Sequence, residues 1–112
     1  MKTSTETAKM IAIIHHPAIK MQLDSGAISI NNEDPFEILF KYAELIGHVH
    51  ASEPNLVPLG DGTTNHKNFF KALTKYLPNS LVSIEMVATQ KEPHLTSIKR
   101  ALLIANKIYK KV

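Results

Sequence analysis

The sequence predicts an α/β domain that forms part of a (β/α) barrel, with about three parallel strands and four helices. Three observations carry that expectation. Segments with helical apolar spacing alternate with short segments of strand type, which calls for parallel βα units joined by right-handed crossovers. The strand segments divide by parity. Met21 and Leu23 oppose Gln22 and Asp24, Val49 and Ala51 oppose His48 and His50, and Val82, Ile84 and Met86 oppose Ser83 and Glu85. Finally, an open parallel sheet with helices on both sides is apolar on both faces, whereas a polar face suits a barrel lumen near its mouth.

The elements follow in order. Thr3 or Ser4 caps a first helix that runs to about Ile14, with Ala8, Ile11 and Ala12 on one face. His15-His16-Pro17 ends it, since proline disfavours helix in the preceding residue. Ala18 to Leu23 reads as the first strand, and Asp24 to Asp34 as a turn-rich connection. Asp34 caps a second helix with Pro35 at its first position, burying Phe36, Leu39, Phe40 and Ala43. Ile46 to Ala51 is the second strand, and a loop with two prolines and two glycines follows from Ser52 to about Thr63. A third helix starts near Asn65, with Phe69, Phe70, Leu73, Tyr76 and Leu77 as its buried stripe, and Pro78-Asn79 breaks it. Leu81 to Met86 is the third strand. A long last helix places Leu95, Ile98, Leu102, Ala105 and Tyr109 on one side.

At 112 residues, 44% hydrophobic and 21% charged, the chain has the composition of a single globular domain spanning 1–112. The absence of cysteine excludes disulfides, thiolate catalysis and cysteine-bearing zinc sites. No apolar run approaches the roughly 20 residues of a membrane span, and MKTSTETAK lacks the hydrophobic core of a signal peptide, so a cytoplasmic protein without membrane partners is expected. The net charge of +3 lies partly in Lys107, Lys110 and Lys111, where cations suit a helix C-terminus, and does not call for a nucleic-acid partner.

Asp24, His50 and Glu85 each fall at or near the C-terminal end of a strand, all on the polar parity. Barrel enzymes place their catalytic groups at that end. Two carboxylates and an imidazole converging there form a site for a divalent cation such as Mn²⁺, Co²⁺, Mg²⁺ or Zn²⁺. Such an ion polarises a carbonyl and hydroxyl pair while a carboxylate moves a proton. Taken singly, each residue also has a plain structural reading: a turn or cap aspartate, a hydrogen-bonded histidine, a solvated glutamate. His48 shares the parity one layer deeper, as packing or support for a ligand. His15, His16, His66 and His94 read as surface residues, and Gly60 and Gly62 as turn glycines.

The segments KMQLDSGAISINNEDP, IGHVHASEPNLVPLGDGTTNHKNFFKAL and LVSIEM resemble the xylose isomerase-like barrel superfamily, in particular its sugar phosphate isomerases and epimerases of the D-tagatose 3-epimerase type. The resemblance runs over nearly the whole chain and implies the C-terminal half of a (β/α)8 barrel. It implies one divalent metal held by Asp24, His50 and Glu85, with Glu85 also the base for proton transfer beside a ketose carbonyl. It also implies a sugar or sugar phosphate as partner, with Glu53 and His48 on the substrate side. The family's first metal-binding glutamate, on a strand before the first helix, has no counterpart here. The histidine that often follows the LD motif is Ala27, and a loop arginine is Leu56. Endonuclease IV shares the fold, but its additional histidines are missing. A half-barrel leaves sheet edges open, so self-association or a partner chain that completes the barrel is expected, with weak or no activity alone. A non-catalytic assembly or binding module is the alternative.

Overall fold

The computed structural model describes residues 2–110. Helix α1 (Ser4–Ile14) begins where Thr3 accepts a hydrogen bond from the Glu6 backbone N–H while the Glu6 carboxylate accepts one from that of Thr3. It stops at His15, which takes a left-handed conformation and donates its N–H to Ile11. Strand β1 is Met21–Asp24, shorter than the Ala18–Leu23 expected. The Ile19 N–H is turned back onto the His16 carbonyl, which removes it from any ladder. The following segment is not a plain loop. Ser25–Ile30 forms the short helix α2, capped by Asp24, whose carboxylate accepts from the Ala27 N–H at 2.8 Å. Glycine and serine are poor helix formers, so propensity hides this helix; the cap and the burial of Ile28 select it. A Cβ on Gly26 would lie 2.7 Å from the Glu53 carbonyl oxygen and from Ser52 Oγ, so only glycine fits where α2 crosses that loop.

Helix α3 (Pro35–Tyr42) has the expected Asp34 cap and leading proline. Its buried face is Pro35, Ile38 and Leu39; Phe40 is 72% exposed, with its ring edge-on to Tyr76. Strand β2 (Ile46–Ala51) lies as expected and carries a bulge. Met21 pairs with Ile46 but Gln22 pairs with His48, which makes Gly47 an extra residue. Ile46 therefore joins Val49 and Ala51 on the buried side, and His48 and His50 take the other. A 3-10 turn at Pro54–Leu56 precedes helix α4 (His66–Tyr76), which Asn65 caps and which buries Phe69, Ala72 and Leu73.

Strand β3 is only Val82–Ile84, and Leu81 is 85% exposed. Helix α5 (His94–Tyr109) turns a different side inward from the one its leucines suggest. Ser97 and Ala101 are buried with Ile104, Ala105 and Tyr109 packed nearby, whereas Leu95, Ile98 and Leu102 are exposed. Lys107 and Lys110 lie at its C-terminal end as expected; Lys111 is outside the described residues.

The three strands form one parallel sheet in the order β1-β2-β3. The described residues form five α-helices, one more than expected because of α2, and with the sheet they make half of a (β/α)8 barrel. Met21, Leu23 and Val49 pack against Ile38, Leu39, Phe69 and Leu73 of the helices, and Ala51, Leu59 and Ala101 form a second cluster. A groove of about 550 Å³ runs beside β3 and α5, lined by Leu81, Val82, Ile84, Leu102 and their neighbours. Among the described residues no helix is long and apolar enough to cross a membrane.

The packing distinguishes two neighbouring residues. Leu39→Ala, at a fully buried site, is expected to cost about 2–5 kcal/mol in urea denaturation. Phe40→Ser, at an exposed one, should cost less than about 1 kcal/mol.

Candidate metal centre at the strand ends

Asp24 ends β1, His50 stands opposite it in β2, and Glu85 directly follows β3. The Glu85 N–H donates to the Ala51 carbonyl at 3.0 Å, which carries the ladder one step past the strand and fixes where that side chain leaves the backbone. The parity read from the sequence thus brings all three to one place. One ligand atom from each lies within 4.8 Å of the others. His50 Nδ1 is 2.9 Å from Glu85 Oε2 and 3.8 Å from Asp24 Oδ2. Gln22, one layer deeper on the same face, brings its side-chain amide to 3.0 Å from the same Nδ1. Two carboxylates facing one ring nitrogen leave negative charge that a divalent cation would offset, and the oxygen and nitrogen donors suit the hard to borderline ions. Asp24 and His50 are mostly covered, while the Glu85 side chain is 38% exposed and so open to a small molecule at the mouth.

His48 is exposed beneath this cluster, its ring edge-on to that of His50 at 4.6 Å between centroids. Glu53 is elsewhere. It is 2% exposed, and its carboxylate accepts from the Gly60 N–H at 2.9 Å, the Thr64 N–H at 3.0 Å and His66 Nε2 at 3.0 Å. The expected position on the substrate side is therefore replaced by one inside the loop, where both oxygens are occupied. Burial pushes the Glu53 carboxyl upward, but the bonds from Thr64, Gly60 and His66 outweigh it and hold it below the ordinary glutamate value. Gly60 reaches it at φ 95°, a conformation that other residues rarely adopt.

His66 is a second correction. Expected at the surface, it is 5% exposed. Nε2–H donates to Glu53, an acceptor only, and Nδ1 lies in hydrogen-bonding contact with the Tyr109 hydroxyl at 2.6 Å. Burial also raises the Tyr109 phenol above its ordinary value. The signal was present in the sequence. His66 lies three residues before Phe69 and seven before Leu73, on the buried stripe of α4. Ser52, whose hydroxyl reaches Asp24, carried no such signal, because a serine in a loop has no periodicity to betray it.

Barrel enzymes carry their functional side chains at the C-terminal strand ends, and this half-barrel has its ligand-type side chains at the same end. Residues 1–107 match the family model described as the xylose isomerase-like TIM barrel, and the chain belongs to that family. Among solved structures it is similar to the apo 3-keto-D-glucoside 4-epimerase from E. coli, with a TM-score of 0.81 and 18% identity over 96% of this chain and 40% of that one. The D-psicose 3-epimerase from Clostridium cellulolyticum H10, solved with D-tagatose, gives 0.80 and 17% over 99% and 45%. An L-ribulose 3-epimerase gives 0.70 and 25% over 90% and 34%. The chain spans less than half the length of each of these structures. A search of curated proteins gave no match.

The buried network predicts a pH response. The Glu53 carboxyl is depressed on folding, so its contribution is complete above the unfolded value of about 4.3 and is lost as pH falls through the folded one. Glu53→Gln should cost about 1–3 kcal/mol at neutral pH, since an amide cannot accept all these bonds. It should also flatten the loss of stability on acidification, as followed by thermal melts between pH 7 and 3.

Proposed function

We propose that this chain is part of a divalent-metal-dependent sugar or sugar-phosphate isomerase or epimerase. The observation that carries the reading is the convergence of Asp24 Oδ2, His50 Nδ1 and Glu85 Oε2 at the strand ends. These residues would hold Mn²⁺, Co²⁺, Mg²⁺ or Zn²⁺. When bound, the ion supplies a positive charge that polarises the carbonyl and adjacent hydroxyl of a ketose. Glu85, the most exposed of the three, takes the proton from the carbon beside that carbonyl, leaving an enediolate. His48 lies beneath the sugar and supports His50. Epimerisation needs a second acid on the opposite face to return the proton.

The open edges of β1 and β3 and the exposed Leu81, Leu102 and Leu103 support an assembly in which further polypeptide covers them. An eight-stranded barrel requires five more strands than this sheet has, so a symmetric dimer of three-stranded sheets does not close one. Polypeptide corresponding to the rest of the barrel fits better. The same edges favour the second reading, a non-catalytic half-barrel binding module.

Titration calorimetry should find one Mn²⁺ per chain, lost in His50→Ala. In D₂O with Mn²⁺ and a ketohexose, slow deuterium incorporation beside the carbonyl should stop on chelation and fall about 100-fold or more in Glu85→Gln. Metal binding without exchange, together with partner capture that survives both treatments, would favour the binding module. Sedimentation at micromolar concentration should show species heavier than the monomer.

A further inference from the structure

Asp24 has two carboxylate oxygens in unlike surroundings. Oδ2 faces His50. Oδ1 accepts from the Ala27 N–H at 2.8 Å and from the Ser52 hydroxyl at 2.6 Å. Ser52 is fully buried, and its Oγ is held in place because it also accepts from the Gly26 N–H at 3.0 Å. A hydroxyl has one proton, and the amide approaching the oxygen directs that proton to Asp24. A second serine braces this arrangement. Ser25 Oγ donates to the Ser52 carbonyl and accepts from the Ser52 N–H, both at 2.9 Å, and does so without touching the Asp24 carboxylate.

We infer that Ser52 is a positioning residue for the cation site. Together with the Ala27 N–H it occupies Oδ1, which presents Asp24 through Oδ2 with its rotamer fixed before any ion arrives. This inference rests on the metal reading above and goes beyond it, because Ser52 makes no contact with His50 or Glu85 and would not touch the ion. Hydrogen-bonded partners of ligating side chains set ligand orientation and basicity, and their loss typically lowers metal affinity about 10–100-fold. A preset aspartate matters more where the donor set is small, since fewer ligands share the ordering of the site.

Ser52→Ala and Ser25→Ala make a matched pair. Each removes one buried hydroxyl from the same junction of β1 and β2 and leaves one backbone N–H without its partner, so both should lower the melting temperature by similar amounts. Only the first removes a bond to Asp24 Oδ1, leaving that oxygen with the Ala27 N–H alone. Mn²⁺ titration is expected to give wild-type affinity for Ser25→Ala and a roughly 10–100-fold loss for Ser52→Ala. Unchanged affinity in Ser52→Ala, or an equal loss in both variants, overturns the positioning role while leaving the metal site standing. Absence of binding in the wild type overturns the metal reading and this inference together.

Discussion

The bulge at Gly47 determines which side chains of β2 face the barrel interior. A strand alternates strictly, so a regular β2 with Ile46 on the helix side would send Val49 and Ala51 to the lumen and His48 and His50 into the core. One additional residue corrects the phase. It lets Ile46, Val49 and Ala51 all pack against the helices while setting His50 beside Asp24 in register. The same correction aligns β3 on the other side, where Ala51 pairs with Ile84 and accepts the Glu85 N–H. The geometry of the mouth is thus inherited from backbone pairing several residues below it.

A second layer of polar structure keeps the mouth in shape. The loop after β2 is tied to the body by Glu53, which gathers two backbone amides and His66, while Tyr109 links that histidine to the end of α5. Buried charge is costly unless hydrogen bonded, and here the bonds are sufficient to keep the carboxyl ionised. Ser52 immediately precedes Glu53, so the knot that anchors the loop also anchors the hydroxyl beside Asp24. On the outer side Arg100 joins Asp61 and Glu92, bringing α5 against the same loop. The candidate metal centre and the loop are therefore joined through adjacent residues.

Much of this was legible in the sequence, for physical reasons. Parity is local, so Asp24, His50 and Glu85 declared their shared side without knowledge of the fold. Caps are local too, and Asp34 with Pro35 marked α3 correctly. What depended on tertiary contact was hidden. Helix α2 arises from a cap and a buried isoleucine in a sequence of poor helix formers. Phe40 and the Leu95, Ile98 and Leu102 row looked like core because they are apolar, yet they lie outside it. Glu53 was placed on the substrate side by the resemblance alone, and only the folded loop shows it enclosed.

The central claim is that one divalent ion is held at Asp24, His50 and Glu85. Substoichiometric Mn²⁺ added to isotopically labelled chain tests it most directly, because paramagnetic broadening falls steeply with distance from the ion. The account predicts that the amide signals of Asp24, His50 and Glu85 vanish first while those of α1 persist. Broadening centred on another acidic group such as Asp61, or spread evenly over the surface, would contradict it.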